Sequence, residues 1–76
     1  MKIKLIYFGR PREQLKISSE TADVPEGLST LADLLAWLRE RGETWAQELA
    51  DNRVRCAINQ EFSGLTDRIG DHDEVA

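Results

Sequence analysis

The first residues of the chain alternate in the way that a β-strand requires. Lys2 to Phe8 runs Lys-Ile-Lys-Leu-Ile-Tyr-Phe. Successive side chains of a strand point to opposite faces, so Ile3, Leu5 and Tyr7 share one face and Phe8 lies on the other, beside the lysines. This segment predicts a first strand with one face turned to the core.

A break follows this strand. Residues 9–13 are Gly-Arg-Pro-Arg-Glu, in which Pro11 has no backbone N–H to donate and glycine weakens a strand. We predict a loop here, then a second strand from Leu15 to Glu20 that forms a hairpin with the first. Residues 25–27, Pro-Glu-Gly, mark the next turn.

The leucine spacing in the middle of the chain predicts an amphipathic helix. Thr30 is a favourable N-cap, and Asp33, three residues later, is its capping-box partner. Gly42 stands where a helix commonly ends. The apolar stripe has the i, i+3, i+4, i+7 spacing of one helix face, at Leu31, Leu34, Leu35 and Leu38.

Shorter elements complete the chain. Thr44 to Ala50 predicts a short helix, Val54 to Ile58 a third strand, Phe62 to Leu65 a short fourth strand, and Glu74 begins a fifth. The result is a single α+β domain, residues 1–76, with one long helix. A mixed sheet with that helix packed across it, the β-grasp or ubiquitin-like fold, satisfies this element count.

Composition narrows the function classes. The chain is 41% apolar and 32% charged, with net charge -4 and a single cysteine. We expect no nucleic-acid partner, because phosphate binding needs a cationic face, and a partner with a basic surface is more natural. One cysteine leaves no disulfide framework and no four-cysteine metal site. We therefore expect no cofactor, no metal, no membrane span and a reducing, cytoplasmic location.

Several stretches together resemble the small subunit of molybdopterin synthase. They are KLIYFGRPRE, TLADLLAWLRERG, the TW pair, AINQ and DHDEVA, which run in order along the whole chain. The resemblance implies a ubiquitin-like fold and a sulfur carrier that is not catalytic by itself. It also implies two partners, the large synthase subunit and an adenylating, sulfurating activating enzyme.

The resemblance also implies where the sulfur sits. In that family the chain runs on through an aromatic and proline-rich stretch to a terminal Gly-Gly, and the last glycine becomes a thiocarboxylate. The present sequence ends at Ala76, without this tail. We therefore expect it to be a truncated or processed form, and we name none of its residues as catalytic.

Three residues are candidates for the partner interface. Phe8 lies opposite Tyr7, and Phe62 follows the polar Asn-Gln-Glu run, so we expect both aromatic rings to be exposed and to dock a partner. Core packing is the alternative for both. The resemblance adds Arg12 to the interface, with Arg10 beside it; as solvated loop charges both are equally plausible.

The remaining unusual side chains have structural interpretations. Cys56 alternates with Val54 and Ile58, so we expect it to pack in the core rather than to react. His72 stands at a turn position where a positive φ is expected, which favours a turn residue over a metal ligand. We expect Trp37 at the margin of the leucine stripe and Trp45 in the core.

Two alternatives to the molybdopterin interpretation stay open. The chain could be a ubiquitin-like binding module that docks without covalent chemistry. It could also be the sulfur carrier of the thiamin pathway, which has the same fold and tail but a shorter, simpler chain.

Overall fold

The computed structural model describes all 76 residues. Five strands form one mixed sheet in the order β2-β1-β5-β3-β4, with β1 and β5 parallel and the other pairs antiparallel. The elements are β1 (Lys2–Ile6), α1 (Gly9–Leu15), β2 (Ser19–Asp23), α2 (Leu31–Arg39), α3 (Glu43–Glu48), β3 (Cys56–Ile58), β4 (Glu61–Ser63) and β5 (Glu74–Val75). The strand that begins at Glu74 therefore lies at the centre of the sheet, between β1 and β3.

One face of the sheet forms the core. Ile3 and Leu5 of β1 are 0% and 2% exposed, as the alternation predicted. Leu5 pairs with Val75 of β5, which pairs in turn with Ile58 of β3. Because paired residues point to the same side, these side chains form one continuous apolar surface under the helices.

Helix α2 covers that surface. Thr30 Oγ1 accepts a hydrogen bond from the Asp33 N–H, and the Asp33 carboxylate accepts from the N–H groups of Ser29 and Thr30. These bonds, with that from Ser29 first, hold the pKa of Asp33 below its usual value. The predicted capping box is confirmed. The leucine stripe is also confirmed, since Leu31, Leu34, Leu35 and Leu38 are all buried.

The connection after β1 differs from the prediction. Residues 9–15 form helix α1 rather than a loop, and the second strand begins at Ser19 rather than Leu15. Pro11 lies in the first turn of α1, where its missing N–H breaks no helical hydrogen bond. Lys16 ends α1 with a φ of 59°. The first two strands pair antiparallel, but a helix joins them.

Gly42 also has another role than predicted. Helix α2 ends at Arg39, and tightened i→i+3 bonds close its last turn. Gly42 is instead the N-cap of α3, and its carbonyl accepts from Ala46 N–H at 2.9 Å. The predicted short helix after it is confirmed. The chain thus has three helices, of which α2 is the longest, and none has the length and apolar character that crossing a bilayer demands.

A polar network joins the sheet to the helices. The Tyr7 hydroxyl donates to Glu20 at 2.8 Å, and Arg41 donates to both oxygens of the same carboxylate at 2.7 and 3.1 Å. The Arg41 guanidinium lies 5.4 Å from the ring centroid of Trp37 and 4.7 Å from that of Trp45. Both tryptophans are half-buried against the core, so Trp37 is at its margin as predicted, and Trp45 is less buried than predicted.

Candidate partner-docking site

The second face of the sheet carries the two predicted aromatic interface residues, whereas Arg12, the third, lies on α1. Leu5, Val75 and Ile58 point toward α2, so the residues next to them point outward. Ala57 pairs with Phe62 across the β3–β4 hairpin, and the backbones of Ala57 and Ala76 exchange two hydrogen bonds of 3.0 and 2.9 Å. We call this outward-facing set the outer apolar band; it consists of Ile6, Phe8, Ala57, Phe62 and Ala76.

The two aromatic rings of the outer apolar band are on the surface. Phe62 is 89% exposed and Phe8 is 60% exposed, and the chain has no other large exposed apolar side chain. Fully burying such a side chain stabilises a protein or a complex by about 1.5–3 kcal/mol. The structure therefore excludes the alternative that both rings belong to the core, and their docking role stays a prediction.

A tight turn holds Phe62 in place. Asn59 and Gln60 both have positive φ, 51° and 72°, as the central residues of a type I′ hairpin turn do. The Asn59 side chain donates to the Asp73 carboxylate and accepts from the Glu74 N–H, both at 3.0 Å. The hairpin is thus tied to β5, and the ring of Phe62 is presented on a fixed support. An asparagine at the first position of a two-residue turn between two strands was the available sequence signal.

The turn before β5 is fixed by backbone bonds. His72 has a φ of 67°, which confirms its predicted turn role, and its N–H donates to Lys2 C=O at 2.7 Å. Asp71 accepts from Lys2 N–H at 2.6 Å; this bond is the main reason why the pKa of Asp71 lies below its usual value. No three metal-binding side chains lie together anywhere in the chain. The turn anchors the central strand against β1.

Comparison with known proteins assigns this small sheet domain to a family. The model of the ThiS family matches residues 5–76. The chain belongs to the ThiS family. It is therefore a ubiquitin-like protein of the sulfur-carrier type, as the resemblance implied.

Individual relatives of this ThiS-family chain support the assignment. The molybdopterin synthase sulfur carrier subunit of Escherichia coli (strain K12) is 27% identical over 74 residues, which cover 97% of this chain and 89% of that protein. The solved structure of a putative molybdopterin converting factor, subunit 1, from Pyrococcus furiosus has TM-score 0.77 and 25% identity over 97% of this chain and 91% of that chain. SAMP1 from Haloferax volcanii has TM-score 0.78 at 20% identity, over 100% of this chain and 91% of that one, and so shares the fold.

The two arginines near Phe8 differ in their surroundings. Arg12 is exposed on α1 and makes no salt bridge, so the structure leaves it free for a partner. Arg10 donates from Nε to both carboxylate oxygens of Glu48, at 3.1 and 3.3 Å. Glu48 is only 5% exposed. Sequence reasoning missed this pair, because nothing local to either residue signals a contact 38 positions away.

Cys56 is not an activated thiol in this ThiS-family chain. Its side chain is half-buried on β3 and packs against the core, and burial raises its pKa. A thiolate is the reactive form, so a raised pKa lowers reactivity at neutral pH. This agrees with the predicted packing role.

Proposed function

We propose that this chain is a sulfur carrier of molybdenum cofactor biosynthesis. In this proposal the outer apolar band, with Arg12 beside it, docks on the large subunit of molybdopterin synthase. The carrier delivers sulfur there as a thiocarboxylate and is not catalytic alone. The same band would meet the activating enzyme that loads the sulfur.

The observation that carries the proposal is the exposure of Phe62 and Phe8 on one face of a small sheet. A monomer gains nothing in stability from an aromatic ring in water, whereas a docking partner can bury it. Aromatic residues of this kind dominate the binding energy of many interfaces. A domain whose role is to present a reactive group to a partner enzyme needs such a docking face more than it needs a pocket of catalytic groups.

The chemistry fits a terminal carboxylate better than any side chain of residues 1–76. The thiol of Cys56 is half-buried with a raised pKa, so it is a poor sulfur carrier. By the family resemblance, the carrier group is the carboxylate of a glycine in a tail after Ala76. Such a tail would leave the centre of the sheet, where Ala76 is bonded to Ala57 and β5 is bonded to β1. A flexible reactive end would then start from a rigid base.

The molybdenum pathway is the favoured one of the two that use this fold. The curated relative is a molybdopterin synthase subunit, and it aligns with 97% of the chain. The thiamin-pathway carrier is the second candidate, because the matching family model is the ThiS model. The two pathways are distinguished by the molecule that accepts sulfur from the loaded carrier.

The test loads the carrier in vitro. The chain is extended after Ala76 with an aromatic–proline–Gly-Gly tail and incubated with ATP, the activating enzyme and inorganic sulfide. The glycine carboxylate attacks the α-phosphate of ATP and releases pyrophosphate; hydrosulfide then attacks the acyl carbon and releases AMP. We expect mass spectrometry to show that one oxygen of the terminal carboxylate is replaced by one sulfur. We also expect the loaded carrier to supply sulfur to the reaction of the large synthase subunit.

Two controls define the outcome. The 76-residue chain without the tail should gain no sulfur, and the extended chain should be the more stable of the two, because a longer β5 adds ladder bonds to β1 and β3. If the extended chain binds the large subunit but never gains sulfur, the binding-module alternative is correct. If it serves only the thiamin-pathway acceptor, the pathway assignment is wrong.

A further inference from the structure

A groove opens into the core beside the outer apolar band. It has a volume of about 390 Å³, and its floor is apolar, with the half-buried Ile6, Pro11, Val54 and Cys56 beside buried leucines of the core. Its mouth is formed by Phe8, Arg10, Arg53, Arg55 and Ala76. We call this feature the basic-rimmed groove. An apolar floor with a few charged groups at the edge is the usual form of a binding cleft.

A buried carboxylate positions one of the three arginines. Glu48 is 95% shielded from solvent, and its only side-chain partner is Arg10, which uses Nε alone. Both terminal nitrogens of Arg10 make no hydrogen bond within the chain. Glu48 therefore fixes the guanidinium at the mouth and leaves its two outer nitrogens to meet an anion. A planar guanidinium held in this way suits a carboxylate.

The other two arginines have no acidic partner. Arg53 and Arg55 are exposed and take part in none of the salt bridges of the chain. Three arginines face the Glu48 carboxylate and, in the 76-residue chain, the terminal carboxylate of Ala76, so the groove mouth is cationic although the chain as a whole has net charge -4. The net charge alone suggested a basic partner surface; the distribution of charge at this mouth favours carboxylates.

We infer that the basic-rimmed groove takes an extended segment of the docking partner, one that carries apolar side chains flanked by carboxylates. This inference rests on the proposed function, because the occupant belongs to the partner that covers the outer apolar band. Ile6, Phe8 and Ala76 belong to both surfaces, so a partner on the band reaches the groove without leaving the carrier. The apolar side chain fills the floor, and the carboxylates pair with Arg10, Arg53 and Arg55.

The test uses two short peptides of opposite charge and no partner protein. The probes are acetyl-Glu-Leu-Glu-Leu-Glu-amide and acetyl-Lys-Leu-Lys-Leu-Lys-amide, titrated into the ¹⁵N-labelled 76-residue chain. We expect the acidic peptide to shift the backbone amide signals of Arg53, Arg55 and Ala76. The lysine peptide should bind more weakly by about tenfold or more, because like charges would meet at the mouth.

Matched charge reversals locate the effect. Arg53→Glu and Arg55→Glu, each made as a single substitution, should each reduce the affinity for the acidic peptide by about tenfold or more. Arg68→Glu, an equal charge change at an exposed arginine outside the groove, should leave it within about twofold. Glu48→Gln should speed the solvent exchange of the Arg10 Nε–H. It should also lower the affinity for the acidic peptide and not the affinity for the lysine peptide. This last readout separates a positioning role from a purely structural one.

Three results would overturn the inference. They are equal affinity for the two peptides, equal loss in the Arg68→Glu control, and amide shifts confined to the outer apolar band. Because the titration contains neither partner protein nor tail, each of these results leaves the sulfur-loading test untouched. The failure of the groove and the failure of the carrier function are therefore distinguishable.

Discussion

The two faces of the same five-stranded sheet differ in how much of their apolar surface is buried. On the inner face, Leu5 and Val75 are 2% and 5% exposed beneath α2. On the outer face, Phe62 is 89% exposed although it is as apolar as either. Both faces arise from the same alternation along the strands, so the difference lies in what covers them. Helix α2 covers one face, and no helix or strand of residues 1–76 covers the other.

This difference separates stability from recognition. A 76-residue domain buries only about 60% of the surface that its unfolded chain exposes, so its stability depends on a few inner side chains. The outer aromatic side chains contribute little to that stability. The comparison predicts that inner substitutions change folding and that outer ones change binding.

The largest effect on stability is expected at Leu34, which is fully buried on α2. Leu34→Ala should lower the free energy of unfolding by about 2–5 kcal/mol, because it removes apolar contacts and leaves a cavity. Urea denaturation followed by circular dichroism measures this change. The matched outer substitution, Phe62→Ala, should stay within about 0.5 kcal/mol. Equal losses in the two variants would break the distinction between the faces.

A smaller effect is expected at Glu20, the charged residue beside the inner face. Glu20→Gln removes the carboxylate that joins Tyr7 to Arg41 and should lower the free energy of unfolding by about 1–3 kcal/mol. Glu40→Gln, at an exposed position without a salt bridge, is the control and should change it by less than about 0.5 kcal/mol. If Glu40→Gln proved as destabilising, the network would have no special role.

The same network predicts a dependence on pH. The Arg41 hydrogen bonds are the main cause that lowers the pKa of Glu20 in the folded chain. A depressed pKa contributes stability that is present above the unfolded pKa and lost as pH falls through the folded pKa. The stability of the parent chain should therefore fall on acidification below the usual glutamate range, and Glu20→Gln should lessen that fall.

The last prediction concerns the rate at which a thiol reagent labels Cys56, at the edge of the inner face. A thiol reagent should label the native chain slowly and the urea-unfolded chain fast, because half-burial and a raised pKa both reduce attack. Absorbance of the released reagent group gives both rates. Rapid labelling of the native chain at neutral pH would mean that this side of the sheet opens readily.

The parts of the fold that the sequence predicted are those with strong local signals. The alternation after Lys2, the capping box at Thr30 and the turn before Glu74 each lie within a few residues, and all three are confirmed. Helix α1 was missed because Pro11 weighs against a helix everywhere except in its first turn. The late start of β2 follows from α1, which uses the residues up to Leu15.

The candidate site also has a part that local sequence patterns predicted and a part that they did not. The exposure of Phe8 follows from strand alternation, and that of Phe62 follows from the polar Asn-Gln-Glu run before it, so the sequence predicted both. The Arg10–Glu48 pair depends on the packing of α1 against α3, and the grouping of Arg53 and Arg55 with Arg10 depends on the path of the chain between α3 and β3. Such juxtapositions have no signature in a local pattern, and only the folded chain reveals them.

The most direct test of the account is the affinity of the carrier for the large subunit of molybdopterin synthase. Phe62→Glu and Phe8→Glu would place a charge in a buried contact, whereas Ala36→Glu adds the same charge on the exposed side of α2. We predict that each phenylalanine variant keeps its fold and thermal midpoint but binds about 30-fold or more weakly, with Ala36→Glu unchanged. Undiminished binding by both folded phenylalanine variants would contradict the account.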